Sequence, residues 1–399
     1  MVTEVVAELG FSRPEEVIAD HENRGLKRAT TRPLDAQFTR QFEHRNVTVR
    51  DWSAPEYAQL NLRKMGFDCI DLSPIQSLQT LLGQVRQAGE ISPQQARQLR
   101  WELSGKVFPL SGGGCLKLLF IAAEGLILRS GGPNGLKIDP DLKPGEMNGH
   151  DVALAIHGDQ DVRGTPLKQM MRGFAPWLFR HQTPDGSNKA SPVTLVNLWL
   201  PLQQITRPLT LMDRRTLNAR EQQLRYGLPT ESFLDRREDM RTNDIWSFLY
   251  DDAQQWYFHS DMHHDKAYVF DTLGEPHGSF ILPGENVAEF YYLQLRDLSR
   301  CLSGSKQSQE AVGDAPEIPA ATTDALRRAI DAMVALVASA PTNQQQPEIV
   351  ATWLASAATA MDSVVRKSLE MRVVAALLPD VWPFNRSAVS QPAPGSGEL

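Results

Sequence analysis

Short apolar runs of period-two character, broken by turn residues, dominate the chain from about residue 46 to 296. Val47 and Val49 alternate with polar neighbours up to Asp51 and Trp52, and a second run at 67–72 follows Gly66. Both predict strands. Two helices follow by pattern, at 75–82 and 92–103, the second with Ser92 as N-cap and Pro93 at its first position, where the backbone lacks N–H partners. The segment 118–128 reads as a buried strand pair broken at Glu124 and Gly125. Further apolar runs stand at 152–156, 193–202, 209–212, 245–250, 256–258, 268–270 and 290–295. So many β-branched and aromatic runs without long helices between them argue for an antiparallel sandwich or jelly roll.

The flanks read differently. Residues 1–45 are a polar segment of mixed charge, with a short helix expected around 14–21, and 236–241 is a polar insertion. Residues 302–322, rich in Ser, Gly, Pro, Gln and Ala, form a linker that is expected to be flexible. Beyond it, Leu326, Ile330, Met333, Val334 and Val337 recur at helical spacing, and a second helix is expected over 347–377, with a break. These C-terminal helices (323–384) would pack on the β domain or on a second copy as a homodimer contact, with a disordered tail at 385–399. The organisation expected is therefore α+β with a mainly β core at 46–301: a double-stranded β-helix under an N-terminal αβ cover, plus C-terminal helices.

Composition narrows the function classes. The net charge of −7 gives no general attraction to nucleic acid or to an anionic membrane, and the basic residues are scattered among acids. The three cysteines are far apart with no CxxC pair, too few for a disulfide framework. The start has no signal-peptide pattern, and no apolar run approaches the ~20 residues of a membrane helix, so a cytoplasmic protein is expected. Ser111-Gly112-Gly113-Gly114 lacks the Lys-Ser/Thr pair of a phosphate loop and reads as a turn. No nucleophile elbow and no dinucleotide fingerprint is present.

One pattern carries chemistry. His157-Gly158-Asp159 follows an apolar run, and residues two apart on a strand point the same way, so both side chains can converge on one metal ion. With one further histidine they would form the two-His, one-carboxylate face that leaves positions on iron(II) open for co-substrate and dioxygen. His277, between Pro276 and Gly278, is a candidate third ligand, or a turn histidine. A rival cluster is His259, His263, His264 and Asp265. It lacks the Glu of an HExxH zinc site and reads as surface histidines.

At these residues the chain resembles the non-haem iron oxygenase-like family that includes the cephem 7α-methoxylase component CmcJ and the fungal AsaB/NvfI-type hydroxylase/desaturases. The blocks occur in order: 46–51 with Met65-Gly66-Phe67, then Ile156 to Gln160, the strand at 196–202, and Pro208 to Asp213. Trp256-Tyr257-Phe258 with Asp261-Met262, Phe270-Asp271-Thr272 and Pro276 to Phe280 complete the succession. The resemblance implies that His157, Asp159 and His277 bind iron(II). It also implies a small-molecule, secondary-metabolite substrate and dioxygen. Two departures concern the co-substrate: Leu200 stands where the family has Arg, and 284–290 replaces its arginine-bearing stretch. Arg296 or Arg215 would then anchor the distal carboxylate of 2-oxoglutarate. Trp199, Trp256, Tyr257 and Phe280 are pocket-lining candidates, or ordinary core aromatics.

The leading expectation is an iron(II), 2-oxoglutarate-dependent hydroxylase or desaturase. An iron oxygenase or oxidase that does not use 2-oxoglutarate is the alternative, and a non-catalytic binding protein on a degenerate oxygenase scaffold is the third.

Overall fold

The computed structural model describes residues 2–19, 27–29, 42–122, 125–138, 147–150, 152–164, 167, 171–184, 188–229, 242–304, 314–342 and 346–379. The expected insertion at 236–241 and the tail at 385–399 lie outside them, as do residues 305–313 of the expected linker. Among the described residues no helix is long and apolar enough to cross a membrane.

Two large sheets face one another. The first is ten-stranded and runs, in spatial order, through Glu4–Phe11, Glu43–Asp51, Trp256–Phe258, Leu209–Met212, His277–Ser279, His157–Gly158, Thr242–Phe248, Gln223–Pro229, Lys27–Ala29 and Val17–Ala19. The second has Phe67–Asp71, Lys266–Asp271, Val193–Gln204, Arg366–Leu378, Cys115–Ile121 and Val107–Pro109 in order, with two further short strands off this path. The chain crosses between them repeatedly. Val193–Gln204 lies in the second sheet, Leu209–Met212 and Trp256–Phe258 in the first, Lys266–Asp271 in the second, and His277–Ser279 in the first. That alternation between mainly antiparallel sheets is jelly-roll-like, and the core is mainly β as the pattern of short runs predicts.

Period-two alternation decides what each sheet buries. On Val193–Gln204 the even residues Val196, Leu198, Leu200 and Leu202 pack outward on helices Gln76–Ala88 and Pro93–Leu103. The second of these helices begins with a capping box in which Ser92 and Gln95 satisfy each other's backbone N–H groups. The odd residues face the other sheet, and Trp199 joins Leu209, Leu211, Tyr257, Tyr268 and Phe270 in an inter-sheet core. The first sheet's outer face, with Met212, Trp256 and Phe258, is covered by the helices Glu285–Leu302, Asp324–Ala338 and Pro347–Ser363. The C-terminal helices thus pack on this chain's own β structure. From helix to helix the order is helix layer, sheet, inter-sheet interior, sheet, helix layer.

Four sequence expectations are corrected. The N-terminal segment holds the strand Glu4–Phe11, whose Val5, Ala7, Leu9 and Phe11 are buried; 14–16 is a single 3-10 turn leading into Val17–Ala19. The run 152–156 forms no strand beyond a bridge from Ala155 to Gly10. The apolar residues at 290–295 belong to the helix Glu285–Leu302, where Val287, Ala288, Tyr292 and Leu295 recur at helical rather than strand spacing. The helix expected over 347–377 ends at Ser363, and Arg366–Leu378 is a 13-residue strand in the middle of the second sheet. Its Leu369, Met371, Val373, Ala375 and Leu377 face the helix layer, so its even residues face the interior.

Candidate metal centre

His157 and His277 are direct cross-strand partners in the first sheet, the one registered pair between their two short strands. Antiparallel neighbours on one face hold their side chains close, and the two imidazole centroids lie 4.4 Å apart. Asp159 follows two residues after His157 and returns to the same side. Its Oδ1 is 4.0 Å from His157 Nε2 and 3.7 Å from His277 Nε2. Ligand atoms of the three lie within 4.8 Å of one another, and no other such group of His, Cys, Asp or Glu occurs among the described residues. The sequence-based triad is therefore brought together.

The backbone around it is pinned from several directions. Ile156 N–H donates to Gly10 of the N-terminal strand at 2.9 Å, and Gln160 N–H donates to Thr272 at 3.2 Å. Asp161 is held by the guanidinium of Arg225. Gly158 sits where an added Cβ would lie 3.2 Å from Trp246 Cβ, so the glycine lets the two strands approach.

Each imidazole is oriented through its other nitrogen. His157 Nδ1 donates to the Ala155 carbonyl at 2.8 Å, and His277 Nδ1 to the Glu275 carbonyl at 2.9 Å. This tautomer leaves both Nε2 lone pairs facing Asp159, as metal ligation requires. Burial, followed by the neighbouring His277, pulls the His157 pKa down to about 4, so its ring is neutral near pH 7. Burial alone would raise the pKa of Asp159; the Arg372 guanidinium, followed by the neighbouring His277 and His157 and the Asn197 hydrogen bond, outweighs it and holds the carboxyl well below its usual range. Two imidazoles and a carboxylate suit iron(II). The donor set and the orientation of its ligand atoms fit such an ion.

The second sheet completes the site with a row of its own. Phe270, Asn197 and Arg372 are cross-strand neighbours on three adjacent strands. Asn197 Nδ2 donates to Asp159 Oδ2 at 3.0 Å, and Arg372 Nη2 lies 3.1 Å from Asp159 Oδ1. The Phe270 ring stands 4.6 Å from that of His277. None of these three was singled out from the sequence. Asn197 was detectable as a lone polar residue inside an apolar strand, and Arg372 by the alternation of its own strand.

Other sequence candidates sit elsewhere. Arg215 forks onto Asp213 and is 57% exposed, and Arg296 pairs with its neighbour Asp297 on the helix Glu285–Leu302; neither contacts the triad. Trp256 and Phe280 are buried in the outer core beneath the C-terminal helices, on the face opposite the triad, because their strands alternate away from it. Trp199 and Tyr257 are packed in the inter-sheet core. Of the rival cluster, His259 packs edge-on against Trp52 at 4.6 Å, and His263 pairs with Asp261 at 3.1 Å. Its segment is two short strands, Trp256–Phe258 and Met262–His263, instead of one helix face.

Residues 155–280 match a family model described as an oxidoreductase/YMDC permease-like domain. That oxidoreductase-like segment is under a third of the chain and holds all three triad residues. The chain is also similar to two solved structures of NvfI, described as an iron and alpha-ketoglutarate-dependent endoperoxidase. One, in a different conformation, has 13% identity and a TM-score of 0.49, covering 94% of this chain and 98% of that one. The other has 14% identity and a TM-score of 0.45, covering 94% and 99%. Comparison with the curated proteins finds no match.

Proposed function

We propose that this chain is a non-haem iron(II) oxygenase acting on a small molecule, with His157, Asp159 and His277 as the iron ligands and 2-oxoglutarate as co-substrate. The observation that carries the reading is the convergence of two Nε2 atoms, each imidazole oriented through its Nδ1 by a backbone carbonyl, on one charged carboxylate. Iron(II) held there supplies the redox chemistry that activates dioxygen.

The protein's own part is electrostatic and geometric. Arg372 faces the Asp159 carboxylate, and Asn197 fixes its second oxygen. A divalent ion, one carboxylate and one guanidinium sum to a charge of about +2, which a dicarboxylate neutralises. This balance favours 2-oxoglutarate over a co-substrate-free reaction. Arg372, not Arg215 or Arg296, is the cation that meets the anion, since it alone of the three touches the triad. Phe270 and the aromatic inter-sheet core keep water from one side of the site, where electrostatic interactions are therefore strengthened.

The test is anaerobic loading with iron(II), followed by metal analysis and a 2-oxoglutarate-to-succinate assay. Wild-type protein is expected to hold one iron per chain, and His157→Ala and His277→Ala to lose it while keeping the wild-type circular dichroism. Unchanged iron content in both variants defeats the reading. Iron bound without succinate formation instead supports the oxidase that dispenses with 2-oxoglutarate.

A further inference from the structure

A second concentration of charge lies outside the triad. Arg63, Lys64, Arg180, His181, Arg214 and Arg215 line one cavity of about 260 Å³. They arrive from three separate stretches of chain. Two of these cations are already neutralised: Arg214 by Asp271 at 2.7 Å and Glu275 at 3.2 Å, and Arg215 by Asp213 at 2.6 Å.

Arg63, Lys64 and Arg180 are not. Arg63 Nη2 donates to the carbonyl of Leu378 at 3.1 Å, and Arg180 Nη2 to that of Arg63 at 3.3 Å. Backbone carbonyls fix these guanidinium groups in place without cancelling their charge. Lys64 has no carboxylate within 4.0 Å among the described residues. The platform beneath them is rigid, for Asn61 Oδ1 accepts both the Arg63 and Lys64 N–H groups at 3.0 Å, and Arg214 N–H donates to Met65 at 2.9 Å. Burial and the charge of Arg214 both lower the pKa of Arg180, a sign that like charges are crowded there.

Three cations that form no ion pair, two of them oriented by backbone carbonyls, around one cavity are an arrangement that binds an anion. The amount of charge narrows its class. A monocarboxylate brings one negative charge, whereas a phosphate monoester brings about 1.5 to 2 near pH 7, with three strong acceptor oxygens. The cavity is smaller than the roughly 300–1,000 Å³ typical of whole-ligand pockets, so it suits a head group whose remainder extends outward. We propose that this cavity binds the phosphoryl group of a small phosphorylated molecule. The site does not depend on the iron reading.

The experiment is isothermal titration of the full chain with pyrophosphate, inorganic phosphate and succinate at constant ionic strength. Saturable binding of pyrophosphate to one site is expected, with succinate weaker. Lys64→Ala and Arg180→Ala should each weaken pyrophosphate by about ten-fold or more, the loss of one charge-assisted contact. Arg180→Lys should retain most of the affinity, and His157→Ala should bind as wild type. Lys64 is exposed, so its replacement leaves the fold intact. The proposal fails if neither phosphate probe gives a saturable signal, or if both alanine variants bind unchanged. It fails equally if succinate binds as tightly as pyrophosphate, or if binding is lost in His157→Ala and kept in Lys64→Ala, which would place the anion at the triad.

Discussion

Replacing Arg372 with methionine separates two roles that a residue beside a metal ligand can play. The guanidinium lies 3.1 Å from Asp159 Oδ1, the same oxygen that faces both imidazoles. At an effective dielectric of about 20, that attraction is about 5 kcal/mol before desolvation is subtracted. Losing one partner of a buried pair typically costs about 3–5 kcal/mol, so metal-free Arg372→Met should be less stable by roughly that amount. With a divalent ion bound to Oδ1, the guanidinium would stand about 5 Å from it. Their repulsion is then about 6–7 kcal/mol on the same scale. Against this stands the loss of an orienting contact, usually a 10–100-fold effect on affinity, about 1.4–2.7 kcal/mol. Asn197 still orients the carboxylate through Oδ2, so relief of repulsion outweighs loss of orientation. Arg372→Met should therefore bind manganese(II), a redox-stable probe, at least ten-fold more tightly than wild type, and gain more in unfolding temperature on metal addition. The same variant should bind 2-oxoglutarate more weakly, since the anion loses its cation. Titration calorimetry and thermal unfolding with and without metal read both effects. Weaker manganese(II) binding in Arg372→Met, approaching that of His277→Ala, would refute the competition argument.

Three further outcomes follow from contacts away from the ligands. Burial, partly opposed by Asp51, lowers the pKa of His259 to about 4, against about 6.5 in the unfolded chain, so the native state binds fewer protons. Its stabilisation is complete above about pH 6.5 and lost as pH falls toward 4; urea unfolding at pH 7 and 4.5 should show wild type losing about 2 kcal/mol more than His259→Gln, and equal losses would disprove it. Glu285 accepts the backbone N–H groups of Arg207 at 2.7 Å and of Asn134 and Leu282 at 2.8 Å. Glu285→Ala orphans all three and should cost about 3–5 kcal/mol in denaturant unfolding, whereas a loss under 1 kcal/mol would show that water takes over. Gly66 has φ +96°, and a Cβ there would fall 1.7 Å from Glu275 Oε2. Gly66→Ala should lower stability by about 1–3 kcal/mol and weaken metal binding through the Glu275 carbonyl that orients His277; manganese(II) affinity equal to wild type would sever that link.

How much of this was legible in the chain depends on range. His157 and Asp159 were readable because their relation is local: period two puts them on one side wherever the strand lies. His277 required knowing which distant strand lies beside His157, and only the order of surrounding blocks pointed to it. Arg372 was missed for a different reason. The Ala-rich stretch before it is helical, and extending that helix through Leu377 overrode the alternation Ser368-Leu369-Glu370-Met371-Arg372-Val373 that marks a strand with one polar face. The opposite error occurred at 290–295, where an aromatic run looked like strand although its buried residues recur every three or four positions. In both places composition competed with periodicity, and periodicity was right.

The corrected strand changes the meaning of the site. Arg366–Leu378 lies between Val193–Gln204 and Cys115–Ile121, and it pairs with the former over ten registered positions. Asn197 and Arg372 are opposite one another within that register, as His157 and His277 are in the facing sheet. A one-residue slip of either strand would turn its own polar residue, Asn197 or Arg372, toward the helix layer and bring Leu198, or Met371 or Val373, against Asp159. The irregularity in this pairing falls between Pro201 and Gln203, beyond the site, so the register at Asn197 is undisturbed. Ligand geometry here is thus a property of two strand registers, each joining segments more than a hundred residues apart in sequence. It follows that the carboxylate at the centre of the triad acquires its compensating charge only when the last strand has docked. Metal bound before that point would meet Asp159 without Arg372, the state that Arg372→Met reproduces.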